Sequence, residues 1–390
     1  MKIKVAIIDH LGAHGSSHHF YLFGQAKGLI ENSVDVSLYT NSSTNNPEIQ
    51  DLAFHQFYQN IFNSNNKLTA LIRYLFGSIK SHLHARLNSC HIFHYHLFGS
   101  SLLVLFNMFL AKLLFAKIVV TIHDVRSFSD NNESSLYTRL IYSLTDSIFT
   151  HNRFSRKEIV KYHKSFAKKT TIIPHGNYLP FIENQENQED QKESRLRLGI
   201  GLDKKVLLFF GMIKKVKSLD LLLCAMPEII KRNPNTTLLI AGKPWKDDFT
   251  YYQDIIDRLK IHNNCVLNIK FISHQDVKHY YCASNIVILP YKEIYQSGVL
   301  MMSMCFGKPV VVSDLDSFKE IVDDQETAFF FKSGDVNSLS NVVNKVLENH
   351  NLSEKVRTQG FELVKTKYSW MEIGRQTCDA YYKINYFYKK

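Results

Sequence analysis

Residues able to hold an anion are concentrated between Pro290 and Asp314. An apolar strand, Asn285 to Leu289, is stopped by Pro290, and a polar loop follows that ends at Ser297-Gly298. An apolar helix then runs to Phe306, Gly307 closes it, and Pro309 opens a further apolar strand. Strand, loop, helix and strand make one βαβ unit, whose parallel strands are joined right-handedly. Its loop leaves the carboxyl end of a strand and enters the amino end of a helix, where open α/β sheets bind ligands. The free N–H groups and partial positive charge of the first helical turn suit a phosphate. Gly298 lets a backbone approach closely. The same unit also serves as a buried crossover without a ligand.

A second junction of this kind runs from Gly211 to Ser218, between the strand Val206 to Phe210 and a helix ending at Arg232. Lys214 and Lys217 place two ammonium groups at that helix N-terminus, a suitable clamp for a pyrophosphate. Ser218 is placed to cap the helix. Histidines gather elsewhere. His10, His14, His18 and His19 crowd the first loop and the helix after it, and His123-Asp124 ends the strand Ile118 to Ile122. Histidine is the usual proton carrier near neutral pH. Solvated loop histidines, or a histidine bonded to backbone, are the plainer readings of the same residues.

The stretch from Pro290 to Val311 resembles the donor-binding signature of GT-B-fold glycosyltransferases, in particular glycosyltransferase family 4 (group 1). Pro290, Met304, Gly307, Pro309, Val310 and Val311 fit it. The signature's two glutamates do not appear: their places fall on Ile294 and Met302, with Glu293 one step from the first. Relatives assigned to bacterial exopolysaccharide assembly carry a Ser-Gly variant lacking the second glutamate, and the sequence is similar to these. The resemblance implies donor binding by Glu293, Ser297, Gly298 and Val299. Gly211 to Ser218 resembles the family's Gly-x-x-Arg-x-x-Lys-Gly loop, which grips the donor diphosphate and implies the same role for Gly211, Lys214 and Lys217. Lys214 stands where arginine is usual and lacks its bidentate fork. Thr121-Ile122-His123-Asp124 resembles a strand-end Thr-x-His-Asp whose histidine lies beside the transferred sugar, which implies catalytic roles for His123 and Asp124. Pro174-His175-Gly176 resembles the family's hinge. In these enzymes the first loop faces the cleft. That makes Asp9, His10 and His14 candidates for the base of an inverting reaction, and Gly12, His96 and His175 candidates for the acceptor side or cleft. A retaining reaction needs no dedicated base.

The implied architecture is α/β, a GT-B arrangement of two Rossmann-like doubly wound domains facing a central cleft. The implied reaction moves a hexose from a UDP- or GDP-sugar to a lipid-linked or saccharide acceptor in surface polysaccharide assembly, with no cofactor and no metal. A catalytically silent partner subunit and a sugar-nucleotide epimerase of the same fold are the alternatives.

The elements that must position these residues follow from the rest of the chain. At 390 residues it is long for one core and fits two domains. Residues 1–180 read as an acceptor-binding domain, 181–200 as a linker region, 201–370 as the nucleotide-sugar domain, and 371–390 as a C-terminal helix that packs back on the first domain. Residues 41–66 read as loop with at most a short helix. Residues 67–87 read as a basic amphipathic helix with Leu71, Leu75 and Ile79 on one face, set against either a bilayer or the sheet. Ser100 to Phe115 reads as a buried crossover helix, shorter than the roughly 20 residues of a membrane span. The helix from Ser155 to Phe166 is strongly basic. Ser273 is placed to cap a later helix. Glu183 to Ser194 has no apolar residue and reads as linker.

Composition narrows the partners. The net charge of +11 suits a nucleotide diphosphate or an anionic membrane surface. No basic run is interleaved with aromatics as a nucleic-acid platform would be. Gly12 and Gly15 do not make a GxGxxG, which sets a dinucleotide dehydrogenase aside. Six cysteines without a CxxC pair read as reduced thiols, and Met1 to Lys4 lead into a strand rather than a signal peptide. The expected setting is the cytoplasm, peripheral on the inner face of the cell membrane.

Overall fold

The computed structural model describes residues 2–14, 18–62, 66–125, 135–182, 191–246 and 248–386. The chain divides into two compact units, Met1–Gly176 with Tyr368–Lys390, and Asn177–Lys367.

The first unit is built on seven parallel strands: β1 (Lys4–Ile8), β2 (Asp35–Asn41), β3 (Ala53–Tyr58), β4 (Ile92–Leu97), β5 (Lys117–Ile122), β6 (Ser147–Thr150) and β7 (Thr170–Ile172). Their order is β3-β2-β1-β4-β5-β6-β7. The second unit has β8 (Lys205–Phe210), β9 (Thr236–Ala241), β10 (Cys265–Asn268), β11 (Ile286–Leu289), β12 (Val310–Ser313) and β13 (Phe329–Phe331), in the order β10-β9-β8-β11-β12-β13. Helices cover both faces of a parallel sheet, so its central strands are buried throughout, as β4, β9 and β11 are. In each sheet the order reverses beside the first strand, between β1 and β4 and between β8 and β11. Rossmann-like sheets bind ligands at such switch points, off the carboxyl ends of the strands.

β3 falls inside residues 41–66, which the sequence presents as loop. It is an edge strand of half-buried residues including His55 and Gln56, and edge pairing needs no apolar run. The linker region 181–200 is also corrected. Residues 183–190 lie outside the description, but Gln191–Arg197 is a helix of the second unit. Arg195 is buried there, with its guanidinium donating to the Ala283 and Leu202 carbonyls and to Asn285 Oδ1. Polarity marks a segment without its own core; it does not stop one arginine from pinning it. The division between units falls at Gly176, where Asn177 Nδ2 already donates to the Val364 carbonyl.

The C-terminal helix Trp370–Tyr386 packs against the helix His18–Glu31 within the first unit. Gly24, Gly28 and Gly374 permit this. A Cβ on Gly24 would meet the Trp370 ring at 2.0 Å, and one on Gly374 would meet the Gly28 carbonyl oxygen at 2.1 Å. One other helix corrects its expectation, and Lys67–Leu87 does not turn its leucine face to the sheet. Leu102–Leu113 is not a buried crossover: it buries only Asn107, Met108 and Ala111. Lys67–Leu87 turns Tyr74, Gly77, Ser78, Ser81, His82 and Ala85 inward, while Leu71 and Ile79 are exposed.

Candidate active site

Successive strand ends of the first unit each deliver one polar residue. Asp9 follows β1, His96 lies near the end of β4, His123 follows β5, His151 follows β6 and His175 lies just beyond β7. The helix His18–Glu31 adds His18, Tyr21 and Gln25. Every one of these side chains is buried.

Hydrogen bonds join them. His151 Nδ1 lies 3.0 Å from the Ile173 carbonyl oxygen, and His151 Nε2 lies 3.2 Å from His123 Nδ1. His123 Nε2 lies 3.0 Å from His96 Nδ1, and His96 Nε2 lies 2.9 Å from Gln25 Oε1. Phe98 stacks on the His123 ring with centroids 4.6 Å apart, and Tyr21 meets that ring edge-on at 4.8 Å. Asp9 Oδ1 accepts from the Gly12 N–H at 2.7 Å, and Asp9 Oδ2 lies 3.0 Å from His18 Nε2. Gly12 has φ +47°, and a Cβ there would lie 2.0 Å from Thr44 Oγ1, so the tight turn that holds Asp9 requires glycine.

Burial sets the charge states. It disfavours imidazolium, pushing His123 and His96 well below the usual range, His151 to about 4 and His175 to about 3, and the neighbouring histidines add to the effect on His96, His123 and His175. Burial alone would raise the Asp9 carboxyl, but His18, His10 and the Gly12 N–H outweigh it and hold it low. His96, His123, His151 and His175 are therefore neutral imidazoles beside the Asp9 carboxylate.

One ring nitrogen from each of His18, His96 and His123 lies within 4.8 Å of the other two, a donor set found in zinc sites. The facing nitrogens of His96 and His123 lie 3.0 Å apart, within hydrogen-bond distance of each other.

The structure thus brings Asp9, Gly12, His96, His123 and His175 together. Asp124 follows His123 and is half-buried. His10 and His14 are placed differently. The His10 ring lies among Tyr74, Tyr58 and Phe62, and the exposed His14 stacks on Phe62 at 3.6 Å. Gly15, Ser16 and Ser17 of the first loop lie outside the described residues. Sequence reasoning missed His151, Gln25 and Tyr21. One signal was available for His151: it ends an apolar strand, as His96 and His123 do.

The second unit carries the lysine site at the ends of β8 and β11. Gly211 has φ +92°; a Cβ there would lie 3.3 Å from Lys217 Nζ and 3.4 Å from Val299 Cγ2, so these three expected residues converge. Lys217 is half-buried as a residue, but its ammonium is enclosed beneath Gly211, 5.3 Å from the Tyr291 ring centroid. Burial, with Lys214 adding repulsion, pushes it down to about 7. Lys214 Nζ stands 5.0 Å over the Trp245 ring. Ser297 caps the helix Gly298–Cys305, its Oγ accepting from the Leu300 N–H at 3.1 Å. A Cβ on Gly298 would lie 2.8 Å from the Tyr178 hydroxyl. Glu293 is exposed on the preceding loop. Ser218 makes no side-chain cap: it adopts φ +49° and leaves that role vacant. Ser273 does not cap a helix directly either, since the N-cap is Asp276, whose backbone N–H donates to Ser273 Oγ.

Comparison with known proteins identifies the family and the fold. Residues 20–177 match the family model described as Glycosyltransferase Family 4, and residues 190–363 match Glycosyl transferases group 1. An uncharacterized glycosyltransferase of Methanocaldococcus jannaschii is 25% identical over 236 residues, 60% of this chain and 59% of that protein. The lipopolysaccharide 1,2-N-acetylglucosaminetransferase of Salmonella typhimurium is 27% identical over 220 residues, 54% of this chain and 55% of that protein. Among solved structures, Anabaena Alr3699/HepE in complex with UDP and glucose superposes with a TM-score of 0.75 at 16% identity, over 98% of this chain and 100% of that one. Two Rossmann-like parallel sheets with this likeness define a GT-B fold. The chain belongs to the group 1, or family 4, glycosyltransferases.

Proposed function

We propose that the protein transfers a hexose from a UDP- or GDP-sugar to a lipid-linked or saccharide acceptor in surface polysaccharide assembly, working peripherally on an anionic membrane. The observation that carries the reading is the convergence of Gly211, Lys217 and Val299 at the β8/β11 switch point, with Lys214 beside them. An enclosed ammonium there stabilises the diphosphate as it departs. His123 and Asp124 lie on the sugar side of the reaction. An inverting course would use the Asp9 carboxylate, with His18 bonded to it, as the base; retention would need none. No cofactor or metal enters this mechanism.

The membrane setting is supported by the outward faces of two helices. Lys67–Leu87 exposes Leu68, Ile72, Phe76, Leu83 and Leu87 alongside Arg73 and Lys80, and Leu102–Leu113 exposes Leu102, Phe109 and Leu113. Among the described residues no helix is long and apolar enough to cross a membrane. The inner face of the cell membrane is the surface this reading assigns.

A second reading, a catalytically silent subunit, is favoured by Ile294 and Met302 at the two glutamate places. A donor screen with purified protein, membrane lipids and a panel of nucleotide sugars tests both. Transfer of label to lipid supports the proposal. Binding of no nucleotide supports the silent subunit. Conversion of the donor without any acceptor would reassign the protein as an epimerase.

A further inference from the structure

The chain of imidazoles fixes a tautomer, and the argument starts at its end. The Ile173 carbonyl oxygen can only accept, so the ring nitrogen 3.0 Å away, His151 Nδ1, carries a proton. A neutral His151 then presents a lone pair at Nε2. His123 Nδ1, 3.2 Å from it, must donate, which leaves the lone pair of His123 on Nε2. His96 Nδ1 donates to that lone pair at 3.0 Å, and His96 Nε2 must then accept from Gln25. Oε1 faces His96 as the amide stands, so the neutral chain requires the Gln25 amide turned by a half-turn, with Nε2 toward His96, a change that leaves its shape unchanged. The opposite orientation would put an acceptor at each end. Four hydrogen bonds would then need four protons on three rings, a net positive charge. Burial opposes that charge, as the downward shifts of all three histidines indicate.

We propose that His151 is a positioning residue for the transfer reaction: anchored on the Ile173 carbonyl, it holds His123 as the Nδ1–H tautomer, so that His123 offers substrate a lone pair at Nε2 rather than an N–H. This rests on the proposed glycosyl transfer only for the substrate it serves; the tautomer itself belongs to the free protein. A sugar hydroxyl reaching His123 must displace the His96 donor, and it then donates its own hydrogen. His123 is in this way built to accept a hydrogen bond from a sugar hydroxyl. The family signatures quoted above do not include His151.

The test has two arms. In protein labelled with 15N-histidine and free of substrate, long-range 1H–15N spectra report each ring's tautomer, with His123 assigned by its disappearance in His123→Ala. The expected pattern is protonated Nδ1 and bare Nε2; the reverse pattern overturns the proposal whatever reaction the protein performs. In the second arm, His151→Gln can donate to the Ile173 carbonyl and accept from His123, and should keep the tautomer with turnover within about threefold. His151→Leu removes the acceptor and should lower kcat by roughly 10- to 100-fold, the usual cost of losing an orienting partner of a functional histidine, with nucleotide affinity unchanged. Equal losses in both variants, or none in His151→Leu, would overturn it. Should His151→Leu fail to fold, the wild-type spectrum still decides. The expected tautomer in a protein that transfers no sugar would uphold the His151 assignment and sink the transfer reading instead.

Discussion

The two Rossmann-like units solve the same geometrical problem with opposite chemistry. Each presents a switch point at the carboxyl end of a parallel sheet. In the first unit that place is filled by a bonded chain of three buried imidazoles, His96, His123 and His151, and by the buried pair of Asp9 and His18. In the second it holds two lysines, glycines that admit close approach, and a capped helix N-terminus. In the function proposed above, one end meets the sugar hydroxyls and the other the phosphates. The units differ on their flanks as well. Helix Leu219–Arg232 buries Leu222, Met226 and Ile229 completely, whereas Lys67–Leu87 and Leu102–Leu113 display leucines and phenylalanines outward.

The largest effect should come from breaking the phosphate end. Lys217→Ala removes a charge-assisted hydrogen bond to the diphosphate and should weaken UDP or GDP binding by about 1.5–3 kcal/mol. Calorimetry showing unchanged affinity would remove the lysine loop from the site. The pH dependence sharpens the same contrast. Free Lys217 titrates near 7, so it is charged below that pH and neutral above it. A bound diphosphate favours the ammonium and raises its pKa. Binding above pH 7 should therefore take up a proton, and affinity should fall as pH rises through about 7, by at most tenfold per unit. Calorimetry at pH 8 in buffers of different ionisation enthalpy measures the uptake, which should vanish in Lys217→Ala.

The imidazole end should respond in rate rather than affinity. A group whose contribution is made in the transition state lowers kcat when lost and leaves donor binding in place. His123→Ala should reduce turnover at least tenfold, about 1.4 kcal/mol, with nucleotide affinity retained. Near-normal turnover in a folded His123→Ala protein would mean that the histidine cluster is architectural and that only the second unit's switch point is functional.

How much of this was legible depended on whether the signal was local. The helix Lys67–Leu87 is read off the sequence with the same limits, and the strand Val206 to Phe210 differs from β8 only by starting at Val206 rather than Lys205, because apolar runs and helical periodicity are local. The loop from Gly211 to Ser218 announces itself by glycine and lysine at a strand-to-helix junction. The role of Ser218 does not, since its φ of +49° is set by the loop's path. β3 was hidden because an edge strand of mixed polarity has no period to detect. The pairing of His123 with His151 depends on strand register: Ile122 lies beside Thr150, which brings residues 28 apart in sequence side by side. Gln25 was hidden for the same reason, since the fold brings it to His96 from 71 residues away in sequence.

The smallest effects concern the flanks, where periodicity misled. The helix Lys67–Leu87 has a leucine stripe, but Gly77, Ser78, Ser81 and Ala85 face inward, because small residues let the helix approach Phe57 and Tyr58 closely; a Cβ on Gly77 would lie 2.9 Å from the Phe57 carbonyl oxygen. The apolar side is left outside, with Phe76 67% exposed. Beside it stand Arg73 and Lys80, and each surface Lys or Arg near an anionic bilayer contributes about 1 kcal/mol, screened within a Debye length. Liposome sedimentation should accordingly show binding that grows with the anionic lipid fraction and falls as salt rises. Phe76→Ser should weaken it by about 1 kcal/mol, part of the transfer energy of a phenylalanine side chain, roughly fivefold, without changing the salt dependence. Phe271, the most exposed phenylalanine of the second unit at 55%, makes the control: Phe271→Ser should leave liposome binding unchanged. Equal binding to neutral and anionic liposomes would assign the attachment to apolar insertion alone. Equal loss in both variants would place the membrane contact on both units and erase the difference between their flanks.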